Sequence, residues 1–185
     1  MIEDEQQPHE FSSPPCLMHE LMPEYQPDDP KPWHEVVAFR KSERERLIKE
    51  RFRLTPDVRL VKSRRIARKL GDVIGRLPSQ LIGVYWPFRG EPDLRDWMTD
   101  VVQSGASIAL PVVVRRSWPL EYRTWAPGVA LERGIWNILV PANGPSVQPS
   151  TIIAPLVGFD SSRYRLGYGG GFFDRTLAAM PVNQK

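Results

Sequence analysis

Residues Arg165 to Arg175 read RLGYGGGFFDR, a stretch whose residue types suit an anionic ligand. Gly167, Gly169, Gly170 and Gly171 can adopt left-handed torsions and bring backbone close to a ligand without side-chain obstruction. The apolar spacing of Phe172, Phe173, Leu177 and Met180 starts a helix near Gly171 or Phe172. The free N–H groups and positive dipole end of a helix start favour a phosphate. Arg165 and Arg175 flank the loop with planar forks that match phosphate oxygens. Asp174 offers a hard oxygen ligand for the Mg²⁺ that normally accompanies a nucleotide's phosphates. The expectation is therefore a phosphate cradle running through Arg165, Leu166, Gly167, Tyr168, Gly169, Gly170, Gly171, Phe172 and Phe173. The alternative, a glycine-rich turn with no ligand, is weakened by the flanking charges. Two better-known cradles are excluded: no G-x-x-x-x-G-K-[ST] occurs, and Phe172 stands where the dinucleotide fingerprint needs its last glycine.

Such a loop has to be held by a scaffold, and the rest of the chain supplies the pattern for one. Val36, Val37, Leu47, Ile48 and Phe52, interleaved with Arg and Glu, predict an amphipathic helix from Trp33 to about Arg53. Thr55 as N-cap and Pro56 at the first helical position start another. Its apolar side is expected to hold Val58, Val61, Ile66, Leu70, Val73 and Ile74, with an end near Gly75 to Pro78. Leu81 to Trp86, Ala106 to Val114, Leu120 to Trp125 and Thr151 to Pro155 read as strands. A helix from about Asp93 to Gln103 separates the first two. This alternation predicts an α/β fold, a three-layer α/β/α arrangement with a mostly parallel sheet. Ligands of such sheets sit beyond the carboxyl ends of the strands, so the loops after Trp86 and after Ala154 belong at one rim.

The chain has 185 residues and 41% hydrophobic side chains, enough for one core and too little for two. A single cysteine, Cys16, excludes an internal disulfide; no export signal is apparent, and the expected location is cytoplasmic. No apolar run approaches the roughly 20 residues that cross a bilayer. The net charge of +3 is uneven. Residues 1–32 carry eight acidic side chains against Lys31, a net −7 that leaves +10 for the remainder. With prolines at 8, 14, 15, 23, 27, 30 and 32, that segment reads as a disordered or loosely docked N-terminal arm, and residues 33–185 as the domain. Cys16 and His19 lack the second pair that a metal site needs. The basic surplus between Arg40 and Arg76 could serve nucleic acid, an anionic small molecule or solubility alone. Nucleic acid is disfavoured because no aromatic-basic interleaving like that of an RNA-binding sheet is present.

Gly158-Phe159-Asp160 followed by Arg165 to Asp174 resembles the hallmark GFD…RLGxGxGxYD of the 5-formyltetrahydrofolate cyclo-ligase family, also called 5,10-methenyltetrahydrofolate synthetases. Weaker matches are the basic run Arg40-Lys41-Ser42-Glu43-Arg44 and the strand-loop from Tyr85 to Asp93. Together they span about Trp33 to Leu177. The resemblance implies ATP- and Mg²⁺-dependent closure of 5-formyltetrahydrofolate to the 5,10-methenyl form, with release of ADP and phosphate, by a monomer acting on small molecules. It implies that Arg40 and Arg44, with Lys41 as the alternative in that register, reach ATP from the first helix. Trp86 and Glu91 match positions that contact folate, joined by Tyr168 and Phe172, while Arg165 and Asp174 would act on the reacting phosphate, Asp174 through the metal. Tyr168, Gly170, Phe172 and Phe173 stand where some relatives carry basic or tyrosine side chains. Members of the family continue past this helix with a further strand and an acidic metal-binding segment, so a shortened C-terminal end and an incomplete metal site are expected. A binding relative without turnover is the alternative.

Overall fold

A computed structural model of the chain describes residues 33–75 and 79–180; the proline-rich arm, with Cys16 and His19, lies outside the described residues. Two helices open the fold, α1 (Trp33–Arg53) and α2 (Pro56–Ile74). Thr55 caps α2 by accepting the Val58 N–H at 3.4 Å, with Pro56 just inside. Then follow β1 (Leu81–Gly83), α3 (Arg95–Gln103), β2 (Ser107–Val112), β3 (Glu121–Trp125), β4 (Leu131–Arg133), a 3-10 turn (Ile135–Asn137), β5 (Leu139–Pro141), β6 (Ser146–Val147) and β7 (Thr151–Ile152). The hairpin β8 (Gly158–Phe159) and β9 (Arg165–Leu166) leads into α4 (Phe172–Ala179).

The central sheet has the order β6-β3-β2-β1-β7. β1 pairs parallel with β2 and with β7, and β3 pairs antiparallel with β2 and β6. Only β3 therefore runs against the other four strands, and the sheet is mostly parallel. Side chains alternate across it because successive residues of a strand point to opposite faces. Ile82, Ile108 and Leu110 meet Ala67, Leu70 and Ile74 of α2 and Met98, Val101 and Val102 of α3. Ala109 and Tyr122 face the other way, toward Ile152 and toward Phe172 and Phe173 of α4. Helices on both faces make the three layers. Thr176 fixes α4 to the sheet: its Oγ1 accepts the Leu120 N–H at 2.8 Å and donates to the Phe172 carbonyl at 2.7 Å. No helix among the described residues is long and apolar enough to cross a membrane.

The apolar side expected for α2 needs correction. Its inward stripe is Ser63, Ala67, Leu70 and Ile74, whereas Val58, Val61, Ile66 and Val73 are exposed. Ser63 belongs inside because its hydroxyl donates to the Arg59 carbonyl at 2.8 Å and accepts the Asp93 N–H at 3.0 Å. A count of apolar residues overlooks a buried serine whose hydrogen bonds are satisfied. The strands are also shorter than the apolar runs that announced them, although the Val84 N–H still reaches the Ala109 carbonyl at 2.9 Å.

Gly83 shows how closely the second face is packed. A Cβ there would lie 2.7 Å from Tyr122 Cε1 and 3.1 Å from Pro149 Cγ. Overpacking of this kind costs about 1–3 kcal/mol. Gly83→Ala is expected to lower the melting temperature by roughly 2–12 °C in a chain of this size. An unchanged melting curve would contradict this packing.

Candidate active site

The parallel pairing of β1 and β7 brings the segments that follow them to one rim, as the strand pattern requires. Residues 84–91 leave β1, and residues 153–157 leave β7, where the Ile153 N–H donates to the Gly83 carbonyl at 2.8 Å. The second segment becomes β8, and its partner β9 runs directly into the glycine loop. α1 lies across both. Gly158 permits the close approach, since a Cβ there would sit 2.5 Å from Leu47 Cδ1. Arg44 and Arg51, seven residues apart and so on one face of α1, turn toward the rim.

The glycine loop is shaped by torsions that favour glycine: Gly169 has φ +94° and Gly171, the N-cap of α4, has φ +62°. No side chain caps α4, so its first turn is open to an external acceptor. Arg44 Nε donates to the Gly167 carbonyl at 2.8 Å. Its guanidinium carbon is 3.3 Å from where a Gly169 Cβ would stand. Burial first, and then the neighbouring Arg40 charge, lower the Arg44 pKa. An anion placed here would relieve that crowding of positive charge. Arg40 is half-buried one turn before Arg44, whereas Lys41 is exposed.

Arg165 and Asp174 meet each other. Arg165 Nη2 lies 2.7 Å from Asp174 Oδ1, an exposed pair that closes β9 against the first turn of α4. Arg175 Nη2 donates to the Gly170 carbonyl at 2.6 Å, and its guanidinium lies 5.0 Å from the centre of the Phe172 ring. Trp136, held at φ +57° in the 3-10 turn, meets the same ring edge-on at 5.6 Å. Among the described residues no three His, Cys, Asp or Glu side chains gather to hold a metal. With Asp174 alone and already ion-paired, the donor set does not fit a metal held by the protein itself.

The other half of the rim centres on Glu91, which is only 7% exposed. Its Oε2 accepts the Phe88 N–H at 2.8 Å, and the nearby Tyr168 hydroxyl also favours the ionised carboxylate. Burial pushes the Glu91 pKa up, against the opposing pull of Phe88, Tyr168 and Arg51. Tyr168 is pushed up to about 12, first by burial and then by the Glu91 charge. It stays a neutral hydroxyl that accepts from Arg51 Nη1 at 2.9 Å on the Glu91 side of the rim. Phe88 tilts against the Tyr168 ring at 6.2 Å. Trp86 packs on the core beside Trp125, at 6.3 Å, with the Arg95 guanidinium 5.5 Å from its ring centre. It is a core aromatic at the strand end, half-buried at the rim.

The expected residues thus form two groups: Arg40, Arg44, Arg165 to Phe173 and Asp174 around the glycine loop, and Trp86 and Glu91 on the loop after β1. Tyr168 joins them. Lys41 stands apart. Sequence reasoning missed Arg51, Phe88 and Trp136. Arg51 could have been found from its seven-residue spacing to Arg44 on the predicted helix. Trp136 had no such signal, because no regular pattern surrounds it.

Comparison with known proteins bears on the family and the fold. A sequence-family model described as the 5-formyltetrahydrofolate cyclo-ligase family matches residues 36–185. A 5-formyltetrahydrofolate cyclo-ligase of Escherichia coli (strain K12) is 29% identical over 138 residues, 71% of this chain and 76% of that protein. The 5,10-methenyltetrahydrofolate synthetase of Aquifex aeolicus, solved by NMR, is similar with a TM-score of 0.62 and 28% identity, covering 75% of this chain and 72% of that one. The synthetase of Mycoplasma pneumoniae shares the fold at a TM-score of 0.63 and 19% identity, covering 78% of this chain and 80% of that one.

Proposed function

The chain belongs to the 5-formyltetrahydrofolate cyclo-ligase family, and from that premise we propose that it converts 5-formyltetrahydrofolate to 5,10-methenyltetrahydrofolate, consuming ATP and releasing ADP and phosphate. The observation that carries the reading is the meeting of a glycine loop at an uncapped helix start with a buried carboxylate, joined where Tyr168 packs on Phe88. The first is suited to phosphates and the second to the N–H donors of a pterin ring.

In this reading the formyl oxygen attacks the γ-phosphorus and ADP leaves. N10 then attacks the formyl carbon and loses its proton, and phosphate departs with the former formyl oxygen. Phosphorylation converts a poor leaving group into a good one. The protein's part is positioning and charge neutralisation. Arg44 and the amides of Gly167 to Phe173 receive the phosphates, with Arg40 adding charge. Glu91 fixes the pterin, and the exposed face of Trp136 beside Phe172 offers a flat surface to a ring. Arg165 can follow the moving phosphoryl from beside the first turn of α4, once its pair with Asp174 opens. A Mg²⁺ would be carried by the nucleotide's phosphates and would offset their charge, with Asp174 in the first turn of α4 as a candidate oxygen ligand. A monomer in the cytoplasm, where ATP is abundant, goes with this reading.

The Arg165–Asp174 pair favours one competing reading, a relative that binds ATP or folate without turnover because both groups stay engaged with each other. A single assay separates the two. With folded protein, ATP and Mg²⁺, the methenyl product's absorbance is expected to grow from the 5-formyl substrate. Binding of both ligands without any growth would overturn the catalytic reading.

A further inference from the structure

One side chain, Arg51, touches both halves of the rim. Arg51 Nη1 donates to the Tyr168 hydroxyl of the glycine loop at 2.9 Å. Nη2 donates to the Leu156 carbonyl at 2.8 Å and to the Val157 carbonyl at 3.3 Å, on the segment that feeds β8. The stem of the same side chain runs under the loop after β1: a Cβ at Gly90 would lie 3.4 Å from Arg51 Cγ and 3.5 Å from Cδ. Gly90, at φ +72°, is the residue next to Glu91. Tyr168 completes the circuit by packing its ring on Phe88 at 6.2 Å, the residue whose N–H donates to the Glu91 carboxylate at 2.8 Å. A shift of the glycine loop therefore moves Arg51 and Tyr168, and through them the loop that carries Glu91.

We propose that Arg51 is a positioning residue that couples the two ligand sites, so that phosphates at the glycine loop and a folate against Glu91 each strengthen the binding of the other. This rests on the functional reading above. Ordering the glycine loop around phosphates fixes Tyr168 and Arg51, which hold Phe88 and Gly90 and so the loop that carries Glu91; a pterin held by Glu91 acts back along the same contacts. The effect must be equal in both directions, because coupling between two binding sites is reciprocal. Arg51 does this with a planar fork that reaches three acceptors at once, a geometry that a lysine cannot reproduce.

Calorimetric titration of the full chain tests the idea with two probes: a non-hydrolysable ATP analogue with Mg²⁺, and 5-formyltetrahydrofolate. In the parent protein each ligand is expected to tighten the other by about 5-fold or more, equally in both orders. In Arg51→Lys, the coupling is expected to fall to near unity while each ligand alone binds within about 3-fold of the parent. Tyr168→Phe provides an independent variant that keeps the ring against Phe88 and removes only the hydroxyl that Arg51 holds; it should abolish the coupling, whatever it does to each affinity alone. Coupling that survives in both folded variants would overturn the proposal, as would parent protein that binds both ligands independently. Failure of the parent to bind either ligand would overturn the functional reading and the proposal together.

Discussion

Glu91→Gln is expected to lower kcat/KM for 5-formyltetrahydrofolate by about 10- to 200-fold, the value of one charge-assisted hydrogen bond. At pH 8 it should leave the protein at least as stable as the parent. The stability half follows from one fact: burial raises the Glu91 pKa, and the Phe88 amide, Tyr168 and Arg51 offset burial only in part. A carboxylic acid whose pKa is raised on folding disfavours the folded state wherever it must ionise. The unfolded chain gives up its proton near the ordinary value of 4.5, so the penalty is absent below that pH, grows as pH rises toward the raised folded value and is constant beyond it. The amide carries no charge and can still accept the Phe88 N–H through its oxygen. The variant's melting temperature should therefore match or exceed the parent's at pH 8, with the difference closing as pH falls toward 4.5. A variant that melts well below the parent at pH 8 would show that the carboxylate holds the loop rather than a ligand.

Gly169→Ala is expected to weaken binding of an ATP analogue by about 10- to 100-fold, because a non-glycine residue held at such a torsion costs about 1–3 kcal/mol. The position has φ +94°, and the new methyl would press on the Arg44 guanidinium at 3.3 Å, displacing the group that holds the Gly167 carbonyl. Gly167→Ala provides the contrast. Nothing lies within 4 Å of its Cβ position and its φ is not in the left-handed range, so the free protein should be indifferent to the change. Should Gly167→Ala nonetheless weaken the nucleotide with an unchanged melting curve, the space beside that backbone is where the ligand lies. Equal affinities for all three proteins would remove the glycine loop from the phosphate site.

How far these features were legible in the sequence depended on how local their causes are. Thr55 and Pro56 announce the start of α2, and the glycines followed by Phe172 announce the start of α4, because caps and torsions are set within a few residues. The parallel core of β1, β2 and β7 showed in apolar runs separated by a helical pattern. Strands of two or three residues, such as β6, β8 and β9, carry too few side chains to display a period. The β8–β9 hairpin in turn decides which charges meet. Arg165 and Asp174 were read as separate ligands for phosphate and metal, yet the turn from β9 into α4 brings them together as a pair. Glu91 was legible as a carboxylate in a suggestive loop. Its burial, and its link through Tyr168 to Arg51 on a helix forty residues earlier in the chain, depend on tertiary packing that residue spacing does not contain.

The central claim is that this site activates a formyl oxygen by phosphorylating it. The direct test uses 5-formyltetrahydrofolate labelled with ¹⁸O in the formyl group, incubated with the full chain, ATP and Mg²⁺, followed by mass analysis of the phosphate released. The reading predicts that the label leaves with phosphate, one ¹⁸O for every methenyl product formed. Methenyl product accompanied by unlabelled phosphate, or no phosphate release from folded protein that binds both ligands, would contradict it.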